Sequence, residues 1–205
     1  MSHYFENDSN VKSVEKLINV KIKNDTLKFY VDNGVFSKSK LDYGTRLLLE
    51  SINISDLKGD ILDFGCGYGP IGIYIAKKTN LKIDMIDINK RALNLANKNS
   101  KINNVNTNIF ESNIYSNVVK KYDYIISNPP IRVGKEILYK ILLGAKEFLK
   151  SNGQLWIVIN KDQGAKTVSK ELEKYYSVEI VEKSKGFYII CASNYWQLVD
   201  SLIKL

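Results

Sequence analysis

The sequence predicts an α/β protein in which a mostly parallel sheet is covered by helices on both faces. From residue 60 onward, short apolar runs alternate with segments of helical period. The first of these runs ends directly in a glycine-rich loop at residues 63–69. Because ligands of such sheets bind at the carboxyl ends of the strands, functional residues are expected there.

The region before this alternation, residues 1–58, is expected to pack on the core as a hairpin, a loop and a helix. Its expected elements are strands at 17–23 and 26–31, a turn at Asn24-Asp25, a loop at 32–37 and a helix at 41–54. In the helix, Leu47, Leu48 and Ile52 share one face.

Residues 59–192 are expected to form the core domain, followed by a docking segment at 193–205. The expected strands are 61–64, 81–87, 107–110, 124–126 and 155–159, closed by an antiparallel pair at 178–182 and 187–192. The expected helices are 71–78, 90–101, 136–150 and 165–175. Asn152-Gly153 is expected to stop the third of these helices.

Composition restricts the function classes. The chain has 205 residues, 44% of them hydrophobic and 25% charged, as in an ordinary globular domain. No stretch reaches the roughly 20 apolar residues that span a bilayer, and the polar start does not resemble a secretory signal. A cytoplasmic protein without membrane contact, a monomer by default, is therefore expected.

Histidine and cysteine are scarce. The only histidine is His3, and the two cysteines, Cys66 and Cys191, lie in apolar runs. This argues against His-based catalytic triads, zinc sites and disulfide frameworks, so no metal is expected. The net charge of +8 has two interpretations: a polyanionic partner such as RNA, or the lysine-rich composition of AT-rich coding.

The glycine-rich loop, Asp63-Phe64-Gly65-Cys66-Gly67-Tyr68-Gly69, favours a methyl-donor site. Its G-x-G-x-G spacing follows the strand at once, and Asp63 would repel a pyrophosphate but suit a cationic donor. Residues 67–72 also match the dinucleotide pattern G-x-G-x-x-G, so a nicotinamide site stays open. The residues expected to bind the donor here are Asp63, Gly65, Cys66, Gly67 and Gly69.

Two further strand ends carry polar residues suited to a nucleoside. Asp87 ends the second core strand, where a carboxylate accepts hydrogen bonds from both ribose hydroxyls. Its neighbour Ile88 is expected to line the same site, and the alternative for Asp87 is a helix cap. Asn113, after the third strand, is expected near the adenine edge, although Ser-Asn pairs are commonly just turns.

The Asn128-Pro129-Pro130-Ile131 tetrad ends the fourth core strand. The side-chain oxygen of Asn128 and the carbonyl of Pro129 could accept both N–H groups of a conjugated amine and aim its lone pair at a methyl donor. Two prolines would hold that carbonyl rigidly outward. We therefore expect this tetrad to be catalytic, with Asn128 also beside the donor; the alternative is an ordinary strand stop.

These motifs resemble the class I S-adenosylmethionine-dependent methyltransferases, and within them the RsmC-like ribosomal RNA small-subunit guanine-N2 methyltransferases. The resemblance covers about residues 29–192. It implies a Rossmann-like, mostly parallel seven-stranded sheet with one antiparallel strand, and S-adenosylmethionine as cofactor. It also implies guanine N2 of ribosomal RNA as acceptor, with RNA or an assembling small-subunit particle as partner.

The resemblance also implies a lid over the pocket, containing Phe36 and Ser37 as substrate contacts. Arg132 and Lys135 are expected to contact phosphates, unless they only form a solvated helix start. Two departures stand out: the second, degenerate domain copy common in this group is absent, and Ile131 replaces an aromatic that stacks on the base.

Four function hypotheses remain. The first is an RNA base-amine methyltransferase. The second keeps the chemistry but places a protein glutamine or a DNA adenine as acceptor, since both pose the same geometric problem. The third is a nicotinamide oxidoreductase, and the fourth a non-catalytic protein that binds the donor or RNA.

Overall fold

The computed structural model describes residues 14–32, 40–130 and 134–195. The predictions for Phe36 and Ser37, for Ile131 and Arg132, and for most of the C-terminal segment lie outside these residues. Helices and strands are numbered below in chain order.

Nine strands and five helices make up the regular structure of the described residues. The strands are β1 Lys16–Ile22, β2 Asp25–Val31, β3 Ile61–Phe64, β4 Ile83–Asp87, β5 Thr107–Glu111, β6 Tyr122–Ser127, β7 Leu149–Asn160, β8 Ser177–Ser184 and β9 Phe187–Ser193. The helices are α1 Tyr43–Ser51, α2 Pro70–Thr79, α3 Lys90–Ile102, α4 Lys135–Phe148 and α5 Ala165–Leu172.

Seven of the strands form one sheet in the order β5-β4-β3-β6-β7-β9-β8. Neighbours from β5 to β7 are parallel, whereas β9 runs antiparallel to both β7 and β8. The predicted fold class, a mostly parallel seven-stranded sheet with one reversed strand, is confirmed. The carboxyl ends of β3 to β8 and the start of β9 therefore share one edge, called the carboxyl edge below.

Apolar side chains cover both faces of this sheet. Since successive residues of a strand point to opposite faces, Ile126 joins one core cluster and its neighbour Ile125 the other. The first cluster also contains the buried residues of the β1–β2 hairpin and of α1, α2 and α3. The second contains those of α4 and α5. Both faces are thus buried, as a parallel sheet requires.

Two asparagines of α3 attach the N-terminal hairpin to the core. The Asn99 amide donates to the carbonyls of Tyr30 (2.9 Å) and Tyr68 (2.8 Å), and its oxygen accepts from the Tyr30 N–H (2.6 Å). Asn103 makes the same pair of bonds to the Lys28 backbone, at 3.2 and 2.7 Å. These amides bind the edge of β2 that faces away from β1, as a neighbouring strand would. They thereby supply hydrogen-bond partners for the N–H and carbonyl groups of that edge.

The predicted turn and helix of the N-terminal region are wrong by a few residues. The hairpin turns at Lys23-Asn24 because Ile22 already pairs with Asp25. α1 begins only after Asp42, whose side chain caps it, and ends at Ser51. Residue 54, the last of the predicted helix, instead begins a separate 3-10 helix at Ile54–Asp56.

The prediction that Asn152-Gly153 stops a helix over 136–150 is wrong. α4 ends at Phe148, and Leu149 already pairs with Tyr122 of β6. The β6–β7 ladder then shifts register, and Asn152 adopts a positive φ of 65°. The Asn-Gly pair therefore marks an irregularity inside a twelve-residue strand.

Asn99→Ala should lower the free energy of unfolding by roughly 2–4 kcal/mol, because it leaves three backbone groups without their partner. Urea unfolding followed by circular dichroism measures the change. Asn94→Ala, on the exposed side of the same helix, is the matched control and should shift stability by less than about 0.5 kcal/mol. Equal effects of the two variants would refute the attachment role of Asn99.

Candidate active site

The glycine-rich loop connects β3 to α2 at the carboxyl edge and is fixed to β4. Gly65 and Gly67 have positive φ values of 68° and 58°, which glycine adopts without strain. The Cys66 N–H donates to the Ile86 carbonyl (2.9 Å), and the Gly67 N–H donates to the Asp87 carboxylate (2.8 Å). The loop conformation therefore depends on the end of the neighbouring strand.

Asp63 is a buried carboxyl group at the end of β3. One oxygen, Oδ2, accepts from the Gly72 N–H (2.8 Å). The other, Oδ1, is buried without a hydrogen-bond partner in the protein. Desolvation raises the pKa of Asp63 to about 7, the Gly72 bond opposes the rise, and the Asp87 charge adds to it. An unpaired buried oxygen of this kind suits a cationic ligand group.

Asp87 accepts two backbone hydrogen bonds at the end of β4. Besides the bond to Gly67, its Oδ1 accepts from the Asn89 N–H (2.9 Å). Burial raises the pKa of the Asp87 carboxyl, and both backbone bonds counteract the rise. Its alternative interpretation as a helix cap is wrong, since the Asn89 side chain caps α3 through bonds to Arg91 and Ala92.

A pocket of about 270 Å³ opens between these strand ends and α4. Five residues predicted from the sequence line it: Gly65, Asp87, Ile88, Asn113 and Pro130. Further lining residues are Phe64, Ile86, Ser112, Ile114, Ile137, Lys140 and Ile141. The lining residues from α4 could not be predicted, because a contact between a helix and a distant loop leaves no local sequence pattern.

Five other predicted donor contacts do not line this pocket: Asp63, Cys66, Gly67, Gly69 and Asn128. The Cys66 thiol is buried, where desolvation and the two neighbouring aspartates raise its pKa well above the usual range. A Cβ atom on Gly69 would lie 2.7 Å from the Ile73 side chain and 2.9 Å from that of Met85. Packing against the core therefore accounts for a glycine at position 69.

Asn128 has a fixed amide orientation. Its Nδ2 donates to Oδ2 of Asp42 (3.0 Å) and to Oγ1 of Thr45 (2.9 Å). Since an ionised carboxylate only accepts hydrogen bonds, the nitrogen must face Asp42 and the oxygen must face away. Both amide hydrogens are used, whereas no described residue donates to Oδ1.

Sequence reasoning missed Asp42 and Thr45. Asp42 caps α1, with Oδ2 accepting from the Thr45 N–H (3.0 Å). Aspartate is a favoured N-cap residue, so the sequence allows the cap to be predicted but not the contact with Asn128. That contact joins residues 86 positions apart.

The Asn-Pro-Pro turn faces the glycine loop. Pro130 lines the pocket, and its ring lies 3.9 Å from the position that a Cβ on Gly65 would occupy. The preceding Ser127 donates to the Phe64 carbonyl (2.8 Å) and so ties the ends of β6 and β3 together. Pro129 is buried. The two motifs that the sequence singled out are thus brought side by side.

Lys135 is exposed at the start of α4, with its ammonium 5.7 Å from the centre of the Tyr139 ring. The lysine at the pocket is instead Lys140, which forms an ion pair with Glu136 (2.8 Å).

Within the described ranges, no group of His, Cys, Asp or Glu side chains is arranged to hold a metal ion. In the same residues, no helix has both the length and the hydropathy to cross a membrane.

Comparison with known proteins relates the chain to methyltransferases. The model of the methyltransferase small domain matches residues 26–191. The uncharacterized protein YbxB of Bacillus subtilis is 42% identical over 197 residues, which cover 94% of this chain and 98% of that protein. Ribosomal RNA small subunit methyltransferase C of Psychromonas ingrahamii is 40% identical over 146 residues, 68% of this chain and 41% of that protein. The chain thus spans about two fifths of the latter's length.

Solved structures share the fold. The T. thermophilus 16S rRNA N2 G1207 methyltransferase (RsmC), in complex with AdoMet and guanosine, superimposes with a TM-score of 0.81 at 20% identity, covering 89% of this chain and 51% of that one. The ribosomal protein L11 methylase of Lactobacillus delbrueckii subsp. bulgaricus has a TM-score of 0.66 at 20% identity, covering 77% and 84%. The predicted class, an S-adenosylmethionine-dependent methyltransferase, is confirmed by the family match. The chain belongs to the methyltransferase small domain family.

Proposed function

We propose that this protein transfers the methyl group of S-adenosylmethionine to an exocyclic amine of an RNA base, with guanine N2 of small-subunit ribosomal RNA as the acceptor. The observation that carries the proposal is the fixed amide of Asn128, two residues before the pocket-lining Pro130, which leaves one oxygen to accept from an amine. The 40% identity to a ribosomal RNA small subunit methyltransferase supports this choice of acceptor.

The residues around the pocket fit the donor. S-adenosylmethionine supplies an electrophilic methyl group on a sulfonium. The unpaired Oδ1 of buried Asp63 suits the cationic amino-acid part, and Asp87 at the pocket wall suits the ribose hydroxyls. The side chain of Asn113 is exposed at the pocket and suits the adenine edge. Gly65 presents backbone only, so a ligand can approach closely.

The acceptor chemistry needs positioning more than a base. The lone pair of a conjugated amine is delocalised, and two acceptors on its N–H groups favour the geometry in which it points at the methyl group. Oδ1 of Asn128 is one such acceptor, and the carbonyl of Pro129 is the proposed second. The proton leaves to solvent after transfer, so no group of matched pKa is required.

The further predicted contacts remain part of this proposal. Lys135 is proposed to contact RNA phosphates together with Arg132, and Phe36 and Ser37 to contact the base. The partner is ribosomal RNA, free or in an assembling small-subunit particle, and the place of action is the cytoplasm. A monomer suffices for this chemistry.

Asp63→Asn should change the pH dependence of stability in the donor-free protein. The pKa of the carboxyl is raised from 3.8 to about 7 in the folded chain, so the unfolded chain releases this proton first. Stability from this group is therefore full below about pH 4 and declines as pH rises to about 7. The asparagine variant keeps an acceptor for Gly72 but does not titrate, so this decline should disappear.

Urea unfolding of both proteins at pH 5, 6, 7 and 8 measures the effect, and their difference isolates this carboxyl from all others. Calorimetry with S-adenosylmethionine should show affinity reduced by roughly tenfold, because a charge-assisted contact is lost. A difference in stability that does not vary between pH 5 and 8 would contradict the assignment.

The proposed function predicts transfer of labelled methyl to RNA or ribosomal particles from a strain lacking the gene. Nucleoside mass spectrometry should then show N2-methylguanosine. Asn128→Ala should reduce kcat by at least about 100-fold because an acceptor used in the transition state is lost, while donor affinity stays within about twofold. Label in protein glutamine instead of RNA would replace the proposed acceptor, and label in neither would reject the function.

Thr45 is a positioning residue, since it acts on the amine only through Asn128. Thr45→Val has the same shape but removes the acceptor for Nδ2, so we expect kcat to fall roughly tenfold with KM and donor affinity little changed. Thr45→Ser restores the hydroxyl and should recover most of the rate. If serine and valine reduce kcat equally, packing and not amide orientation explains the residue.

A further inference from the structure

The carboxyl edge continues beyond Asn128 into a basic region. Lys161 follows the end of β7, while Lys183 and Lys185 belong to the end of β8 and the β8–β9 turn. Because β8 is parallel to β7 and β9 is antiparallel to both, all three lysines lie at the same edge as the candidate site. All three side chains are exposed.

Aromatic rings hold two of these ammonium groups. Nζ of Lys185 lies 4.8 Å from the centre of the Tyr43 ring, and Nζ of Lys183 lies 5.0 Å from that of Tyr188. Both rings are half-buried, and the Tyr43 ring also contacts the Phe187 ring at a centroid distance of 5.6 Å. Such cation–π contacts restrict flexible side chains before any ligand binds. Lys161, Lys183, Lys185, Tyr43 and Tyr188 are called the lysine–tyrosine surface below.

The turn that carries this surface is anchored at two points. The Lys161 N–H donates to the Gly186 carbonyl (2.7 Å), and the Tyr43 hydroxyl is 2.8 Å from the Ser184 hydroxyl. Lys185 has a φ of 47°, in a region where asparagine or glycine is normally preferred. The position therefore holds a lysine against the local preference of the backbone.

The lysine–tyrosine surface adjoins the acceptor site directly. Tyr43 follows Asp42, which holds the Asn128 amide. Gly44, next along α1, faces Phe187 of β9 so closely that a Cβ would lie 3.0 Å from the ring. A nucleic-acid strand bound on this surface would thus reach the Asn128 oxygen within a few nucleotides.

The charged groups of this region are the three lysines and the neighbouring carboxylates of Asp162 and Glu182. None of the three lysines forms an ion pair with another residue in the described part of the chain. The nearby Glu182 uses its carboxylate to accept the Lys183 N–H (2.9 Å). By contrast, Lys120 and Lys150 at the opposite edge of the sheet are each paired with two carboxylates.

We propose that the lysine–tyrosine surface binds the phosphate backbone of single-stranded RNA next to the base being methylated. The inference rests on the proposed function and names the surface that function needs. The ammonium groups would bind phosphates, and the rings of Tyr43 and Tyr188 hold two of these ammonium groups in place. This combination of unpaired cations and aromatic rings is the one that single-stranded nucleic acids require.

The test compares two triple variants of equal charge. The surface variant carries Lys161→Gln, Lys183→Gln and Lys185→Asn, of which the last suits the turn better than lysine does. The control variant carries Lys82→Gln, Lys101→Gln and Lys121→Gln, which are exposed lysines near the other ends of the strands. Urea unfolding checks that both remain folded, and calorimetry checks that both bind S-adenosylmethionine as the parent does.

Binding of a single-stranded fragment of the methylated RNA is then measured between 50 and 300 mM salt, with methyl transfer at each point. In the surface variant the slope of log affinity against log salt should flatten by about 2, since three contacts contribute roughly 0.7 each. KM for RNA should rise about tenfold or more, with kcat nearly unchanged. The control variant should match the parent in both.

Equal changes in the two variants would overturn the inference, since only net charge would then matter. An unchanged slope and KM in the surface variant would also overturn it while leaving the proposed function intact. A parent protein that methylates no RNA would reject the proposed function and this inference together. Transfer of the methyl group to a protein acceptor, without any binding of RNA, would also reject the proposed function and this inference.

Discussion

The hydrogen bond from the Gly67 N–H to the buried Asp87 carboxylate is the contact on which the proposed donor site depends. It joins the loop after β3 to the end of β4, so the loop and the strand end keep one spacing. The same carboxylate accepts from Asn89, where α3 begins. A single side chain therefore sets the relative position of the glycine loop, the pocket wall and a helix start. Because Asp87 is almost fully buried, these bonds are not exchanged with water.

Burial of the two carboxyl groups lowers the stability of the fold. Burial raises the pKa of both Asp63 and Asp87, which means that each charged form is disfavoured in the donor-free protein. Apolar packing on both faces of the sheet supplies the compensating free energy, with residues such as Ile125 and Ile126 fully buried. The unpaired oxygen on Asp63 adds to this cost, since a buried polar atom without a hydrogen bond is destabilising.

Local chemistry explains which parts of the site could be predicted from sequence. The glycine loop, Asp87 and the Asn-Pro-Pro turn are short patterns whose backbone requirements are visible in the residues themselves, and the structure brings them to one edge. The Asp42–Asn128 contact could not be predicted, since nothing in either segment refers to the other. The fold class followed from the strand–helix alternation, yet β7 was predicted far too short because Asn152-Gly153 suits a helix end as well as an irregular strand.

The order of the strands divides the carboxyl edge into regions with different tasks. The proposed donor pocket lies at the ends of β5, β4 and β3, and Asn128 follows β6 in the middle of the sheet. Lys161 follows β7, and Lys183 and Lys185 lie at the end of β8 and in the turn into β9, so three lysines outside ion pairs stand on the other side of Asn128 from the pocket. At the opposite edge, Asp60 and Asp123 pair with lysines and the charges cancel. In the proposed function a polyanion would be attracted to the side where Asn128 receives a base, and the reversed strand β9 is what brings the turn of β8 to that side.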